Sequence, residues 1–221
     1  MKRTLSAIVA ATAGLALLAG CSTNTGGSAS PAASGDTIKV GLNYELTGNV
    51  ATYGQASVRG IELAAEEINA AGGVYGKKIE LVKYDTKSDT AEATTLAAKL
   101  MTQDKVVTVI GPATSGGMKA QIQLAEKNQV PIVSGSATAD DLTVSNGKLN
   151  DYVFRTCFVD SYQGTVMAKY ANEKLNAKTA VVFKDTSSDY AKGLADAFDQ
   201  QFKADGGTIV ATEAYAAKQT D

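Results

Sequence analysis

The 221 residues contain no histidine and no tryptophan, and cysteine occurs only twice, as Cys21 and Cys157. Without histidine there can be no Ser-His-Asp or Cys-His catalytic set, no imidazole metal site, and none of the commonest general base. Two cysteines are far too few for a disulfide scaffold. No long basic run is present, and 21 Lys and Arg against 23 Asp and Glu leave a net charge of −2, so nucleic acid is not an expected partner. A Gly-x-Ser-x-Gly nucleophile elbow is missing, as is the Gly-Lys-Ser/Thr of a nucleotide P-loop. A protein without these parts is not expected to be an enzyme or to need a metal or a cofactor.

Long apolar runs are also scarce. One opens the chain: Lys2 and Arg3 precede a small apolar stretch, Ala7 to Leu18, too short to stay in a bilayer as a spanning helix. It ends in Leu18-Ala19-Gly20-Cys21, which resembles a bacterial lipobox. Residues 1–20 are therefore expected to be a lipoprotein signal peptide, with Cys21 the lipidated residue after cleavage. Acyl chains buried at about 0.8 kcal/mol per CH₂ would hold the protein at a membrane without a spanning helix. With Cys21 modified, Cys157 is expected to stay unpaired. Residues 21–35 are small, polar and rich in Gly, Ser and Ala, the composition of a disordered tether. Folding is expected to begin at Asp36.

From there strands and helices alternate. Strands are expected at Thr37 to Asn43, Lys78 to Tyr84, Val106 to Ile110 and Pro131 to Val133, with helices at Tyr53 to Ala71, Asp89 to Gln103 and Met118 to Lys127. A second series follows: strands at Tyr152 to Thr156, Thr179 to Lys184 and Thr208 to Tyr215, with helices at Tyr162 to Leu175 and Ser188 to Ala204. Serial βαβ units imply an α/β fold on a parallel sheet covered by helices. Such sheets bind ligands at the carboxyl ends of their strands. The stretch Gly111 to Gly117 lies at such an end. A strand runs into a Gly/Ser/Thr turn that opens a helix, and free N–H groups there suit a small anion such as a carboxylate. On local sequence alone, an ordinary strand–helix turn with a serine cap fits as well. Two helix ends carry a double glycine before a strand, Gly72-Gly73 and Gly206-Gly207, a faint repeat that fits two lobes of like topology.

Several segments together carry a family resemblance. They are Val40-Gly41-Leu42, Thr47-Gly48, Tyr53-Gly54, the run from Gly60 to Gly76, Tyr84-Asp85, Ile110-Gly111-Pro112, Pro131 to Thr138, Phe154-Arg155-Thr156, Gln163-Gly164, and Lys184-Asp185 with Tyr190 and Gly193. The combination resembles the Leu/Ile/Val-binding protein family, the extracytoplasmic substrate-binding lipoproteins of branched-chain amino acid ABC transporters, and covers nearly everything after Asp36. The resemblance implies a type I periplasmic-binding-protein fold with two Rossmann-like parallel-sheet lobes closing on a ligand, here residues 36–156 and, as an incomplete second lobe, 157–221. It implies that Ser115 binds the ligand's α-carboxylate through hydroxyl and N–H, that the carbonyl of Ser136 takes the α-ammonium, and that Thr138 contacts both. Tyr53 then lies near the ligand side chain, Tyr190 closes over the amino acid backbone, and Asp160 sits near the cleft.

The sequence departs from the family pattern at Gly116-Gly117, where further Ser or Thr is usual and the helix start is expected to loosen, and at Ala191, where Gly is common. It also ends at Asp221, where the family pattern continues, so a fragment that binds amino acids poorly on its own is expected. The resemblance implies a monomer that captures an amino acid and delivers it to an ABC permease, held to the bacterial membrane by its lipid alone. A ligand-sensing ectodomain on the same fold is the alternative. A secreted hydrolase, with Asp85, Asp160 and Asp185 as its acids, is the least favoured.

Overall fold

The computed structural model describes residues 37–217. The expected signal peptide, Cys21 and the expected tether lie outside those residues. The first strand, β1 (Ile38–Tyr44), is followed by α1 (Ala51–Ala70), β2 (Ile79–Asp85), α2 (Thr90–Thr102), β3 (Thr108–Ile110), α3 (Ser115–Asn128) and β4 (Ile132–Ser134). A two-residue hairpin, β5 (Val144–Ser145) and β6 (Lys148–Leu149), precedes β7 (Val153–Arg155). Then come α4 (Asp160–Glu173), β8 (Thr179–Asp185), α5 (Asp189–Ala204) and β9 (Thr208–Tyr215).

Five strands form one parallel sheet in the order β2-β1-β3-β4-β7. The strand β1 lies inside it, and its last five residues, Val40 to Tyr44, are all buried. That is the environment of a strand covered by helices on both faces. One core, around Leu100, Val109, Met118, Ile132 and Leu142, packs α2 and α3 against the sheet. A second, around Val40, Leu42, Tyr44 and Val58, seats α1 on the sheet. The expected α/β class is the one observed, and most elements fall within two residues of their expected limits. The exceptions are α3, which begins three residues early, at Ser115, and the hairpin, which was not expected.

The strands β8 and β9 form a separate parallel pair. The helices α4 and α5 press tightly together at Gly164, where an added Cβ would lie 2.6 Å from the Ala197 Cβ and 2.7 Å from the Phe198 nitrogen. Glycine is the residue that permits so close an approach of two helices. None of the helices among the described residues is long and apolar enough to cross a membrane.

Candidate functional site

The topology switches direction between β1 and β3, because β2 lies on one side of β1 and β3, β4 and β7 on the other. Ligands of such sheets bind at that point, beyond the carboxyl strand ends. Here those ends carry Glu45, the turn Gly111–Gly117 and the segment Gly135–Asp141.

The turn is built differently from the simple anion cradle expected. Thr114, not a serine, caps α3, its hydroxyl accepting from the Gly117 N–H at 3.3 Å. Gly117 makes this possible, since a Cβ there would sit 2.8 Å from the Pro112 ring and 2.9 Å from Thr114 Oγ1. Gly117 therefore lets the capped turn close tightly, whereas a Cβ on Gly116 would meet only Asp189 Oδ2, at 3.8 Å. The Ala113 and Thr114 N–H groups are not free either. Both donate to the Glu45 carboxylate, at 2.9 and 3.2 Å, and the Thr114 hydroxyl donates to it at 2.8 Å. The Ser115 and Gly116 N–H groups remain, and neither has a partner among the described residues.

Ser115, Thr138 and Asp160 come together. Ser115 is buried, and its hydroxyl accepts the Ala139 N–H at 3.1 Å, which ties the first turn of α3 to the residue after Thr138. The Thr138 carbonyl accepts the Asp160 N–H at 3.0 Å, which anchors the first residue of α4 beside it. Thr138 Oγ1 and both carboxylate oxygens of Asp160 are buried without a hydrogen-bond partner. Burial pushes the Asp160 carboxyl above its usual range, with the nearby Thr138 hydroxyl opposing the shift and Asp140 adding to it. Ser136 is half-buried, and its hydroxyl donates to the Ala113 carbonyl at 2.9 Å.

Beside this group a cavity of about 240 Å³ opens between Lys119 of α3, Asp140 and Asp141, Asp160, and Asp189, Lys192 and Gly193 of α5. A Cβ on Gly193 would lie 3.0 Å from Asp160 Oδ2, so α5 passes directly over the carboxylate. Lys119 pairs with Asp141 at 2.8 Å and approaches Asp189 at 3.7 Å, while Lys192 pairs with Asp189 at 2.7 Å. Hydrogen bonding to Lys192 and the charge of Lys119 outweigh burial and hold the Asp189 carboxyl below its usual range.

The two tyrosines stand further out. Tyr190, in the first turn of α5, is 39 % exposed and meets the Gln163 side chain at 3.3 Å. Tyr53, in the first turn of α1, is 67 % exposed, and its hydroxyl has no hydrogen-bond partner among the described residues.

The other two aspartates proposed as acids have structural work instead. Burial raises the Asp85 carboxyl, but bonds from the Lys87 N–H, the Thr47 hydroxyl and N–H, and the Leu46 N–H outweigh it and lower it overall. Asp185 is lowered by the Ser187 hydroxyl and N–H. The segments Asp85-Thr-Lys-Ser-Asp89 and Asp185-Thr-Ser-Ser-Asp189 share a carboxylate that accepts the N–H two residues on, but Asp89 caps α2 whereas Ser188, one position earlier in the pattern, caps α5, and only the first joint turns through positive φ, at Lys87 and Ser88. Cys157 carries a free thiol that donates to the Ala137 carbonyl at 3.4 Å. Among the described residues no three His, Cys, Asp or Glu gather as a metal site.

A family model for periplasmic binding proteins matches residues 37–221. A Leu/Ile/Val-binding protein of Rhizobium johnstonii is 37 % identical over 177 residues, 80 % of this chain and 47 % of that protein. The Leu/Ile/Val/Thr-binding protein of Salmonella typhimurium is 35 % identical over 208 residues, 94 % of this chain and 55 % of that one. Among solved structures, a branched-chain amino acid transporter substrate-binding protein of Streptococcus pneumoniae in complex with isoleucine is 49 % identical. It has a TM-score of 0.77 and covers 84 % of this chain and 51 % of its own. A solute-binding protein of an ABC transporter from Rhodopseudomonas palustris, in complex with 3,4-dihydroxybenzoic acid, is 27 % identical, with a TM-score of 0.73 over 84 % and 49 % of the two chains. The chain spans about half the length of these relatives. A parallel sheet with its switch point at β1 and β3, a polar cluster beyond its carboxyl ends, and a match running from Thr37 to Asp221 lead to one assignment: the chain belongs to the periplasmic binding protein family.

Proposed function

We propose that this protein captures a branched-chain or related amino acid, outside the cytoplasm, for an ABC importer, and hands it to a membrane permease. Residues 36–156 form one lobe and 157–221 part of the other. The observation that carries the reading is the set of buried polar atoms without partners: Thr138 Oγ1 and both oxygens of Asp160, close to the unengaged N–H groups of Ser115 and Gly116. Buried polar atoms are ordinarily paired, so a cluster of unpaired donors and acceptors points to a polar ligand. A zwitterion supplies what is missing. Its carboxylate takes the N–H groups and hydroxyl of the Ser115 turn. Its ammonium takes the Ser136 carbonyl and the Thr138 hydroxyl, with the charge of Asp160 beside them. Tyr190 closes over the head group and Tyr53 lies toward the ligand side chain. Isoleucine and 3,4-dihydroxybenzoic acid, bound by two of the relatives, share a carboxylic acid, which supports the anionic half of the reading.

Isothermal titration of the protein at its full natural length with leucine, isoleucine, valine and benzoate tests this. Charge-assisted bonds contribute about 1.5–3 kcal/mol each, so Ser115→Ala and Thr138→Val should each weaken amino acid binding roughly tenfold or more. Binding untouched by both substitutions, or no binding of any amino acid, refutes the reading. Loss of leucine uptake in a strain lacking the protein distinguishes import from sensing. Lipid attachment at Cys21 is part of the proposal; Cys21→Ser should abolish incorporation of labelled fatty acid and move the protein to the soluble fraction. The protein should elute as a monomer.

A further inference from the structure

We propose that Glu45 is a specificity-determining residue: its buried carboxylate fills the outer donors of the Pro112–Thr114 turn, so that the site at Ser115 favours the carboxylate of a net-neutral zwitterion and disfavours ligands of net negative charge. The inference rests on the solute-binding reading above and narrows its ligand class.

Glu45 directly follows β1 and is only 2 % exposed. Its carboxylate accepts from Ala113 N, Thr114 N and Thr114 Oγ1. None of the ion pairs among the described residues includes it. A helix N-terminus is equivalent to about half a positive charge, and a carboxylate set against it more than cancels that. The other buried acid of the site, Asp160, also lacks a counter-ion at salt-bridge distance, and Lys119, in the first turns of α3, is already paired with Asp141 and Asp189. An incoming anion therefore meets two buried carboxylates, with Arg155 and Lys119 acting on Asp160 only from beyond ion-pair distance. A zwitterion meets the same charges with an ammonium of its own. The two N–H groups that Glu45 leaves, on Ser115 and Gly116, match the two oxygens of one carboxylate.

The probe pair is leucine and 4-methylpentanoate, which has the same side chain and carboxylate but no ammonium. The readout is the ratio of their dissociation constants, by titration, in the protein at its natural length. Glu45→Gln removes the charge with little change in shape and should narrow the preference for leucine by about tenfold or more. Glu45→Asp keeps the charge and should leave the ratio within about threefold of the unsubstituted protein. If Glu45→Gln does not fold, Glu45→Ala, which bares both N–H groups, is read in its place and should narrow the ratio in the same way. Leucine binding with an unchanged ratio in the neutral variants, or equal narrowing in Gln and Asp, overturns the role of Glu45 alone. Failure of the unsubstituted protein to bind leucine overturns the amino acid reading on which that role rests.

Discussion

Replacing Asp160 by asparagine keeps the shape of the side chain and removes its charge. In the ligand-free protein this carboxyl is wholly buried, neither oxygen has a hydrogen-bond partner, and α5 covers it at Gly193. The first-turn position in α4 favours a negative charge, by about 0.3–1 kcal/mol. An unsatisfied buried polar group costs about 1–3 kcal/mol, and a charged one more, so the cost prevails. Asp160→Asn should therefore stabilise the ligand-free protein by about 1–3 kcal/mol at pH 7, and raise its Tm by roughly 2–10 °C for a domain of this size. The pH dependence has a definite sign. Burial raises the carboxyl's folded-state pKa, with Thr138 opposing, so between the ordinary carboxylate value and that raised value the folded state holds the extra proton. The unsubstituted protein thus loses stability as pH rises through this window, whereas below the ordinary value both of its states are protonated and the gap to Asp160→Asn closes. Thermal unfolding followed by circular dichroism, without ligand, from pH 3.5 to 8 measures both effects. An Asp160→Asn protein no more stable than its parent at pH 7, or a gap that persists unchanged in acid, refutes the reasoning. Amino acid affinity should fall in the same variant, stability gained against function lost.

Ser115→Ala strips the Ala139 N–H of its buried acceptor and should cost about 1–3 kcal/mol in urea unfolding, apart from its effect on binding. Gly164→Ala forces a methyl group to within 2.6 Å of Ala197 Cβ, so α4 and α5 must separate; a loss of about 1–3 kcal/mol is expected by the same assay. Asp85→Asn should destabilise at neutral pH. Because its hydrogen bonds outweigh burial and lower the Asp85 carboxyl, the parent's advantage is present above the ordinary carboxylate range and should fade as pH falls toward the lowered value, read from paired melting curves.

The fold was legible because alternating β-branched runs and helical faces, punctuated by glycine, bound each element locally. The β5–β6 hairpin was legible too: Asn146-Gly147 joins its strands with φ of 51° and 74°, the Asn-Gly turn that favours paired strands, but the strands are too short to show alternation. The pattern Asp-Thr-x-Ser-Asp after β2 and β8 is likewise visible in the letters, but the letters do not show that Asp89 caps α2 while Ser188 caps α5. Ser115, Thr138 and Asp160 were indicated by family resemblance, and their convergence follows from β3, β4 and β7 being neighbours. Glu45 had no such signal. An acid in a loop reads as a solvated side chain, and only the cross-strand distance from β1 to the turn after β3 makes it a buried partner of Ala113 and Thr114.

Four aspartates face the cavity beside α5, and three are answered: Asp140 by Ser161, Asp141 by Lys119, and Asp189 by Lys119 and Lys192. Asp160 stands bare. Asp140, bonded but not neutralised by Ser161, adds its charge to that of Asp160, so the four aspartates outweigh Lys119 and Lys192 in that crevice. Under the proposed reading, an amino acid entering in the reverse sense would press its carboxylate on these charges, which favours one direction for its side chain before any apolar surface touches it.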